Sequence, residues 1–141
     1  FRFSNVNNSG LDSMFLEMAE GLAALVGKAY IAIAPLIGVL GAFISGSATV
    51  STTLFASLQY ETATILGLPQ LMIVAMQIAG GAMGNMVCVN NIVAACATCG
   101  TVGAEGRLMK SNVVPCLFYW VLTVLILGGA ILMGVNPVPI P

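Results

Sequence analysis

A cluster of hydroxyl-bearing residues lies in the middle of a strongly apolar stretch of this sequence. Residues 43–54 read FISGSATVSTTL, so serine, threonine and a glycine recur where a membrane segment would ordinarily be apolar. Polar side chains at membrane depth are expected to be functional, and irregular backbone survives there only when it is buried or lines a cavity. Such groups can bind a small polar solute. We therefore predict that residues 45–51 form the tip of a helical hairpin that reaches partway into a membrane.

A second polar cluster follows the hairpin. Glycine is dense at Gly80, Gly81 and Gly84, and asparagine follows at Asn85, Asn90 and Asn91. We predict a broken helix over residues 70–99 with its break at residues 80–85, because an interrupted helix offers free N–H groups and a positive dipole end to an anion. The alternative is close helix packing, since Gly80 and Gly84 also match the Gly-x-x-x-Gly pattern.

Composition places these clusters in a membrane protein. Of 141 residues, 59% are hydrophobic and only 6% are charged, whereas soluble domains carry roughly 25% charged residues. The intervals between Lys28 and Glu61, between Glu61 and Glu105, and after Lys110 carry no charge, and each can hold a span of about 20 residues. The absence of histidine argues against a haem-anchoring subunit, and no basic cluster suggests a nucleic acid partner.

The four cysteines do not suggest a metal site or another cofactor. Cys88, Cys96, Cys99 and Cys116 fall in apolar segments, and no histidine is present to complete a ligand set. We expect them to behave as small buried hydrophobic residues rather than as metal ligands or disulfides.

The predicted elements form an all-α integral membrane protein. The segments in order are a polar loop (1–12), an amphipathic helix (13–28), the helical hairpin (29–66), the broken helix (70–99), a loop (100–112) and a transmembrane helix (113–134). Glu17 and Glu20 share the polar face of the amphipathic helix, which either lies at the membrane surface or lines a cavity. Each hairpin arm is shorter than the roughly 20 residues needed to cross, although one continuous membrane helix is the alternative.

Basic residues predict the orientation. Arg107 and Lys110 lie in the 100–112 loop, which should therefore be cytoplasmic, and the uncharged turn at 67–70 should be outside. The hairpin then enters from the outside. Because three or four passes are few for a transporter, we expect this chain to be part of a larger one.

Two runs of residues resemble the bacterial L-lactate permease family. The first is residues 43–51 followed by Leu54, Phe55 and Ala56; the second is residues 77–106, and the likeness covers roughly residues 29–110. Thr52 departs from the family, which more often has asparagine there. The resemblance implies a multi-pass carrier of lactate and often glycolate with protons in the bacterial cytoplasmic membrane. It also implies two inverted repeats, of which this chain is the C-terminal one, with the N-terminal half of the same polypeptide as its partner.

A lactate site needs donors for a carboxylate and a mixed donor and acceptor for a hydroxyl. We expect the hairpin tip and the helix break to face each other near the membrane midplane and supply these groups. The predicted substrate-binding residues are Ser45, Gly46, Ser47, Thr49, Ser51, Gly81, Gly84, Asn85, Asn90 and Asn91. The alternatives are hydroxyls that bond back to their own helix and asparagines that bond between helices.

Glu61 is the candidate for proton coupling. It lies in the second hairpin arm, where it can take up a proton if it is desolvated, or else it sits at the membrane interface. Two other functions remain open: a sodium-coupled organic-anion carrier of the same wider group, and a non-transporting membrane subunit of an enzyme complex. Catalysis by this chain itself is not expected.

Overall fold

The computed structural model describes residues 14–135, and within that range every regular element is helical. The helices are α1 (Met14–Val26), α2 (Tyr30–Ser45), α3 (Ala48–Ile65), α4 (Gln70–Val87), α5 (Val89–Thr98), α6 (Glu105–Thr123) and α7 (Gly129–Leu132). A 3₁₀ turn (Gly27–Ala29) links α1 to α2, and a π-helical stretch (Val124–Gly128) joins α6 to α7. The all-helical prediction is confirmed for the described residues, and the predicted polar loop at 1–12 lies outside them.

Three helical stretches are long and apolar enough to cross a membrane. They are Leu16–Ser45, Gln70–Val87 and Glu105–Leu132. The first contains a turn at Gly27, whose φ of 52° is left-handed and favours glycine, and α1 packs against α3. Helix α3 has the 18 residues of α4 but is not apolar enough to join this group.

Helices α2 and α4 pack closely because glycine removes side chains from their crossing. A Cβ added at Gly80 would overlap the carbonyl oxygen of Pro35, and one at Gly84 would overlap that of Val39. The structure therefore places these glycines in close packing, and α4 runs without interruption to Val87. The predicted break at residues 80–85 is wrong in position, since those residues are helical and their small size serves helix approach.

Two apolar clusters fill the bundle around that crossing. The larger joins α1, α2, α3 and α4 to the end of the last span, and its fully buried members include Tyr30, Ile73 and Met76. The smaller lies between α4 and α6 and contains Met83, Val87 and Cys116. These clusters fix the hairpin formed by α2 and α3 against α4.

Helix α6 begins earlier than the sequence indicates. It starts at Glu105 rather than near residue 113, so the predicted 100–112 loop shortens to the residues before Glu105. The Glu105 carboxylate accepts the Gly103 N–H at 3.0 Å and lies in the first turn, where the helix dipole favours negative charge. Asn112 and Trp120 then tie α6 to the bundle by donating to the Met86 and Ala32 carbonyls at 2.8 and 2.9 Å.

Candidate functional site

The turn of the hairpin consists of a glycine that ends α2 and a serine that begins α3. Gly46 ends α2 with a φ of 73°, a left-handed conformation that a side chain disfavours, and its N–H donates to the Ala42 carbonyl at 2.8 Å. Ser47 then begins α3 as its N-cap, with its Oγ accepting the Val50 N–H at 3.3 Å. The local sequence Ser-Gly-Ser thus stops one helix and starts the next without a longer loop.

The hairpin tip lies against the junction of α4 and α5. A Cβ built at Gly46 would stand 3.3 Å from Asn90 Nδ2 and 3.4 Å from Cys88 Sγ. Cys88 is extended, with φ −63° and ψ 131°, and separates α4 from α5. The interruption of this helix is therefore at Cys88, beyond the predicted 80–85 segment, and it places the N-termini of α3 and α5 next to each other.

The four hydroxyl groups predicted at the tip divide into two pairs. Ser45 donates to the Gly41 carbonyl at 2.7 Å, and the buried Ser51 donates across the hairpin to the Gly38 carbonyl at 2.9 Å. Their protons are therefore engaged within the protein. Ser47 accepts a bond but does not donate one, and the exposed Thr49 has no side-chain partner among residues 14–135. Of the two pairs, the second therefore keeps its O–H groups free of any partner in the described part of the chain.

The three asparagines also differ. Asn91 reaches back across the Cys88 junction and donates to the Asn85 carbonyl at 3.3 Å and to Asn85 Oδ1 at 3.5 Å. Asn90 is exposed beside Gly46 and has no side-chain hydrogen bond within the described part of the chain. The structure thus uses Asn91 to hold the junction together and leaves the Asn90 amide available.

Gly81 and Gly84 support the site rather than line it. A Cβ at Gly81 would meet the Ala48 carbonyl at 3.4 Å, so the absence of a side chain lets α4 approach the start of α3. Gly84 is buried against α2, and its N–H lies inside a continuous helix, where it bonds to the carbonyl four residues earlier. The expectation that the Gly84 N–H is free therefore does not fit the observed helix.

A buried chain of hydrogen bonds beneath the tip was missed by the sequence reasoning. Tyr30 donates to Gln59 Oε1 at 2.6 Å, Gln59 donates to Gln77 Oε1 at 2.8 Å, and Gln77 donates to Ser51 Oγ at 3.2 Å. Gln59 also donates to the Ala34 carbonyl at 3.0 Å, and both glutamine side chains are fully buried. The sequence does contain a signal for this chain of bonds, because two glutamines lie within apolar helices. Polar side chains at membrane depth are expected to be functional, and this holds for glutamine as it does for asparagine.

Glu61, the candidate for proton coupling, lies away from the tip. Glu61 is half-buried on α3, 14 residues after Ser47, which is roughly 21 Å along the helix. Glu17 and Glu20 are exposed on α1. Cys88, Cys96 and Cys116 are buried and Cys99 is exposed, and residues 14–135 contain no group of three side chains that could hold a metal ion.

Three apolar helical stretches that can cross a membrane, one of which ends at the polar hairpin tip, define a multi-pass membrane protein. The sequence model of the L-lactate permease family matches residues 1–133. The chain belongs to the L-lactate permease family, a family of transporters and not of enzymes, so the resemblance predicted from residues 43–56 and 77–106 is confirmed.

Individual relatives agree with this assignment. The chain is 39% identical to the L-lactate permease of Escherichia coli over 113 residues, which are 80% of this chain and 20% of that protein. It is 36% identical to the L-lactate permease of Bacillus subtilis over 88% of this chain and 22% of the relative. A glycolate permease of Escherichia coli is 39% identical over 60% of this chain and 15% of its own length. The chain therefore spans about a fifth of the curated lactate permeases it matches, and no solved structure matches it.

Proposed function

We propose that this chain is part of a secondary transporter that carries L-lactate, glycolate or similar 2-hydroxy monocarboxylates into bacterial cells by proton symport. The named activities of its relatives support the substrate class. The main structural support for the binding site is that Gly46 lies close to Cys88 and Asn90, because this brings the N-terminal ends of α3 and α5 together.

The carboxylate of the substrate binds between those two N-termini. The first backbone bonds of α3 and α5 are Ser51 N–H to Ser47 and Ile92 N–H to Cys88. The Val50 N–H is taken by Ser47 Oγ, and the other N–H groups that precede these bonds have no helical acceptor. Their positive dipole ends favour an anion. Broken helices in other transporters hold a substrate carboxylate in this way.

The free side chains at the tip complete the recognition of a 2-hydroxy acid. Ser47 and Thr49 each have an O–H that can donate to the carboxylate. The Asn90 amide offers both a donor and an acceptor to the substrate hydroxyl, which is itself a donor and an acceptor. Of the ten residues predicted for the site, these three and the backbone of the turn are therefore the proposed direct contacts.

The proposed transporter works in the bacterial cytoplasmic membrane, surrounded by lipid. Polar groups at the hairpin tip would be costly against hydrocarbon, so we propose that further permease sequence, such as the implied N-terminal half, covers them. In this transporter the hairpin formed by α2 and α3 is re-entrant, and the chain is one of two inverted repeats.

Uptake measurements test the substrate and the coupling ion together. Vesicles that contain the full protein are given labelled L-lactate under an imposed proton gradient and, separately, under a sodium gradient. Proton-driven accumulation supports the proposal, and sodium-driven accumulation replaces proton symport with the sodium-coupled alternative. Absence of uptake under both gradients rejects lactate as the substrate.

A pair of variants at Ser47 tests the binding site. Aspartate and asparagine both cap helices, so Ser47→Asp and Ser47→Asn should each preserve the start of α3. A carboxylate at this position repels the substrate anion, whereas an asparagine amide can still donate to it. We expect Ser47→Asp to raise the KM for lactate by roughly tenfold or more, which is about 1.4 kcal/mol, with much less change in Ser47→Asn. Equal KM values for the two variants would place the carboxylate elsewhere.

A further inference from the structure

Helix α3 carries a continuous row of hydroxyl groups on the face opposite the bundle core. The row consists of Thr49, Thr53, Ser57, Tyr60 and Thr64, which are all exposed. At 100° per residue these positions fall within about 80° of arc around the helix. The buried positions Ser51, Leu58 and Thr62 lie on the other side of α3, which packs against α1, α2 and α4. We call this row the hydroxyl stripe.

The hydroxyl stripe is poorly suited to lipid. Thr53 and Thr64 satisfy their O–H groups by donating to the carbonyls four residues earlier, at 2.8 and 2.9 Å. The hydroxyls of Thr49, Ser57 and Tyr60 have no side-chain partner among the described residues. An unsatisfied polar group is costly in hydrocarbon, where no water replaces the missing bond. These three hydroxyls therefore need water or another polar surface.

The neighbouring face of the same helix provides an internal contrast. Val50, Leu54 and Ile65 are also exposed and occupy the neighbouring arc, which contains the half-buried Glu61 as its one charged residue. A helix that met only lipid would be apolar on both sides of its exposed surface. The exposed surface thus divides into a hydroxyl arc and a mainly apolar arc, which indicates that two different environments meet along α3.

The stripe is continuous with the proposed substrate site. At the tip end, a groove of about 280 Å³ between α3 and α4 is lined by Ala48, Thr49, Thr52, Thr53 and Ile78. From Thr49 to Thr64 the stripe extends 15 residues, or roughly 22 Å along the helix, which is enough to reach from a partway-inserted tip to the membrane surface. Its members are neutral, so they can replace water around an anion without holding it tightly.

We propose that the hydroxyl stripe of α3 lines a water-filled passage along which the 2-hydroxy carboxylate moves between the hairpin tip and the membrane surface near Thr64. This inference rests on the proposed function for the identity of the anion. The occupant is water together with the passing substrate, and the passage is closed on its other side by sequence outside this chain. Glu61 borders the stripe between Ser57 and Thr64, which gives this carboxyl access to the same water.

Cysteine labelling in the full protein tests the passage. Thr53→Cys, Ser57→Cys and Thr64→Cys are each made with Cys99→Ser, which removes the exposed native thiol, and are treated in membrane vesicles with a membrane-impermeant sulfonate thiol reagent. Leu54→Cys and Ile65→Cys are the matched controls, because they lie on the mainly apolar arc of the same helix at the same depth. Ser57→Cys exchanges a single atom, so it preserves the test if a threonine variant does not fold.

We expect the stripe positions to react roughly tenfold faster than the two controls, since thiol reactivity requires access to water. L-Lactate should slow the reaction at Thr53→Cys and Ser57→Cys severalfold. Normal lactate uptake without labelling of the stripe would overturn the passage and indicate that the stripe packs against another helix or lipid. Equal labelling of the stripe and the controls would also overturn it, because water would then reach both faces of α3 alike. Labelling of the stripe without lactate uptake or protection would support the passage while rejecting the proposed substrate, so the two failures are distinguishable.

Discussion

The same residue type takes different roles within a few positions of the hairpin tip. Ser51 is buried and its O–H is engaged with the Gly38 carbonyl, whereas Ser47 caps α3 and keeps its O–H. Asn91 bridges the Cys88 junction, whereas the neighbouring Asn90 faces the tip and has no side-chain hydrogen bond among residues 14–135. A side chain whose donors and acceptors are all used within the folded protein has a structural role, and one that keeps an unused donor or acceptor can bind a ligand.

Gln59 and Gln77 should stabilise the bundle as a pair. Gln77→Leu leaves the buried Gln59 amide without one partner, so we expect a loss of roughly 1–3 kcal/mol in the free energy of unfolding. The double variant Gln59→Leu with Gln77→Leu should cost less than the sum of the single changes, because the two side chains share a bond. Denaturant unfolding of the purified protein in detergent measures both quantities.

Gln70→Leu is the control for that experiment. Gln70 is only partly buried and its single side-chain bond, to Thr64 Oγ1, is long at 3.4 Å. Its replacement should change the free energy of unfolding by less than about 0.5 kcal/mol. Additive losses in the Gln59 and Gln77 cycle would show that the two amides do not act as a unit.

Glu61→Gln tests proton coupling at the second hairpin arm. Glutamine keeps the size and polarity of the side chain but cannot release a proton. If Glu61 carries the coupled proton, accumulation of lactate driven by a pH gradient should fall to the level without a gradient, while exchange of labelled for unlabelled lactate should persist. Glu17→Gln, at an exposed site on α1, should leave both measurements unchanged. Full gradient-driven uptake by Glu61→Gln would remove Glu61 from the mechanism.

At the scale of elements, the crossing of α2 and α4 positions the hairpin. Gly38, Gly80 and Gly84 let the two backbones approach so closely that an added Cβ would meet a carbonyl at each position. Backbone atoms cannot move aside as a flexible side chain can, so this crossing tolerates no enlargement. The hairpin tip is consequently held against the start of α5 by the packing of its first arm on α4.

Gly80→Ala should therefore destabilise the bundle, whereas Gly21→Ala should not. A Cβ at position 80 overlaps the Pro35 carbonyl, and overpacking of this kind typically costs about 1–3 kcal/mol. Gly21 is inside α1 with open space around it, so alanine there should raise stability by up to about 1 kcal/mol through helix propensity. Thermal unfolding of the two variants in detergent compares them. Similar midpoints for both would contradict the close crossing.

At the scale of the whole molecule, the orientation in the membrane is open to a direct test. Cys99 is exposed where α5 ends, close to the loop that precedes Arg107 and Lys110. Positive residues favour the cytoplasmic side, so an impermeant maleimide should label Cys99 in inside-out vesicles and not in intact cells. The Cys99→Ser variant identifies the labelled thiol. Labelling of Cys99 in intact cells would reverse the orientation and place the hairpin entry on the cytoplasmic side.

The sequence by itself determined the family, the helical class and the two polar clusters. Apolar composition and sparse charge exclude a soluble domain, and the Ser-Gly-Ser turn contains both a left-handed stop and an N-cap, which are local properties of the chain. The α2–α3 turn was therefore readable from residues 45–51. The role of the glycines at 80, 81 and 84 could not be predicted in the same way. Glycine both interrupts helices and permits close packing, and only the neighbouring helix decides between these roles.

Tertiary structure decided how the polar groups are used. Contact between Gly46 and Asn90 joins residues 44 positions apart, and the chain of bonds from Tyr30 through Gln59 and Gln77 to Ser51 crosses three helices. No periodicity within one helix encodes such partners. The hydroxyl stripe of α3 likewise acquires meaning only once α2 and α4 have covered the opposite face, because burial of one side of a helix defines what its other side must meet.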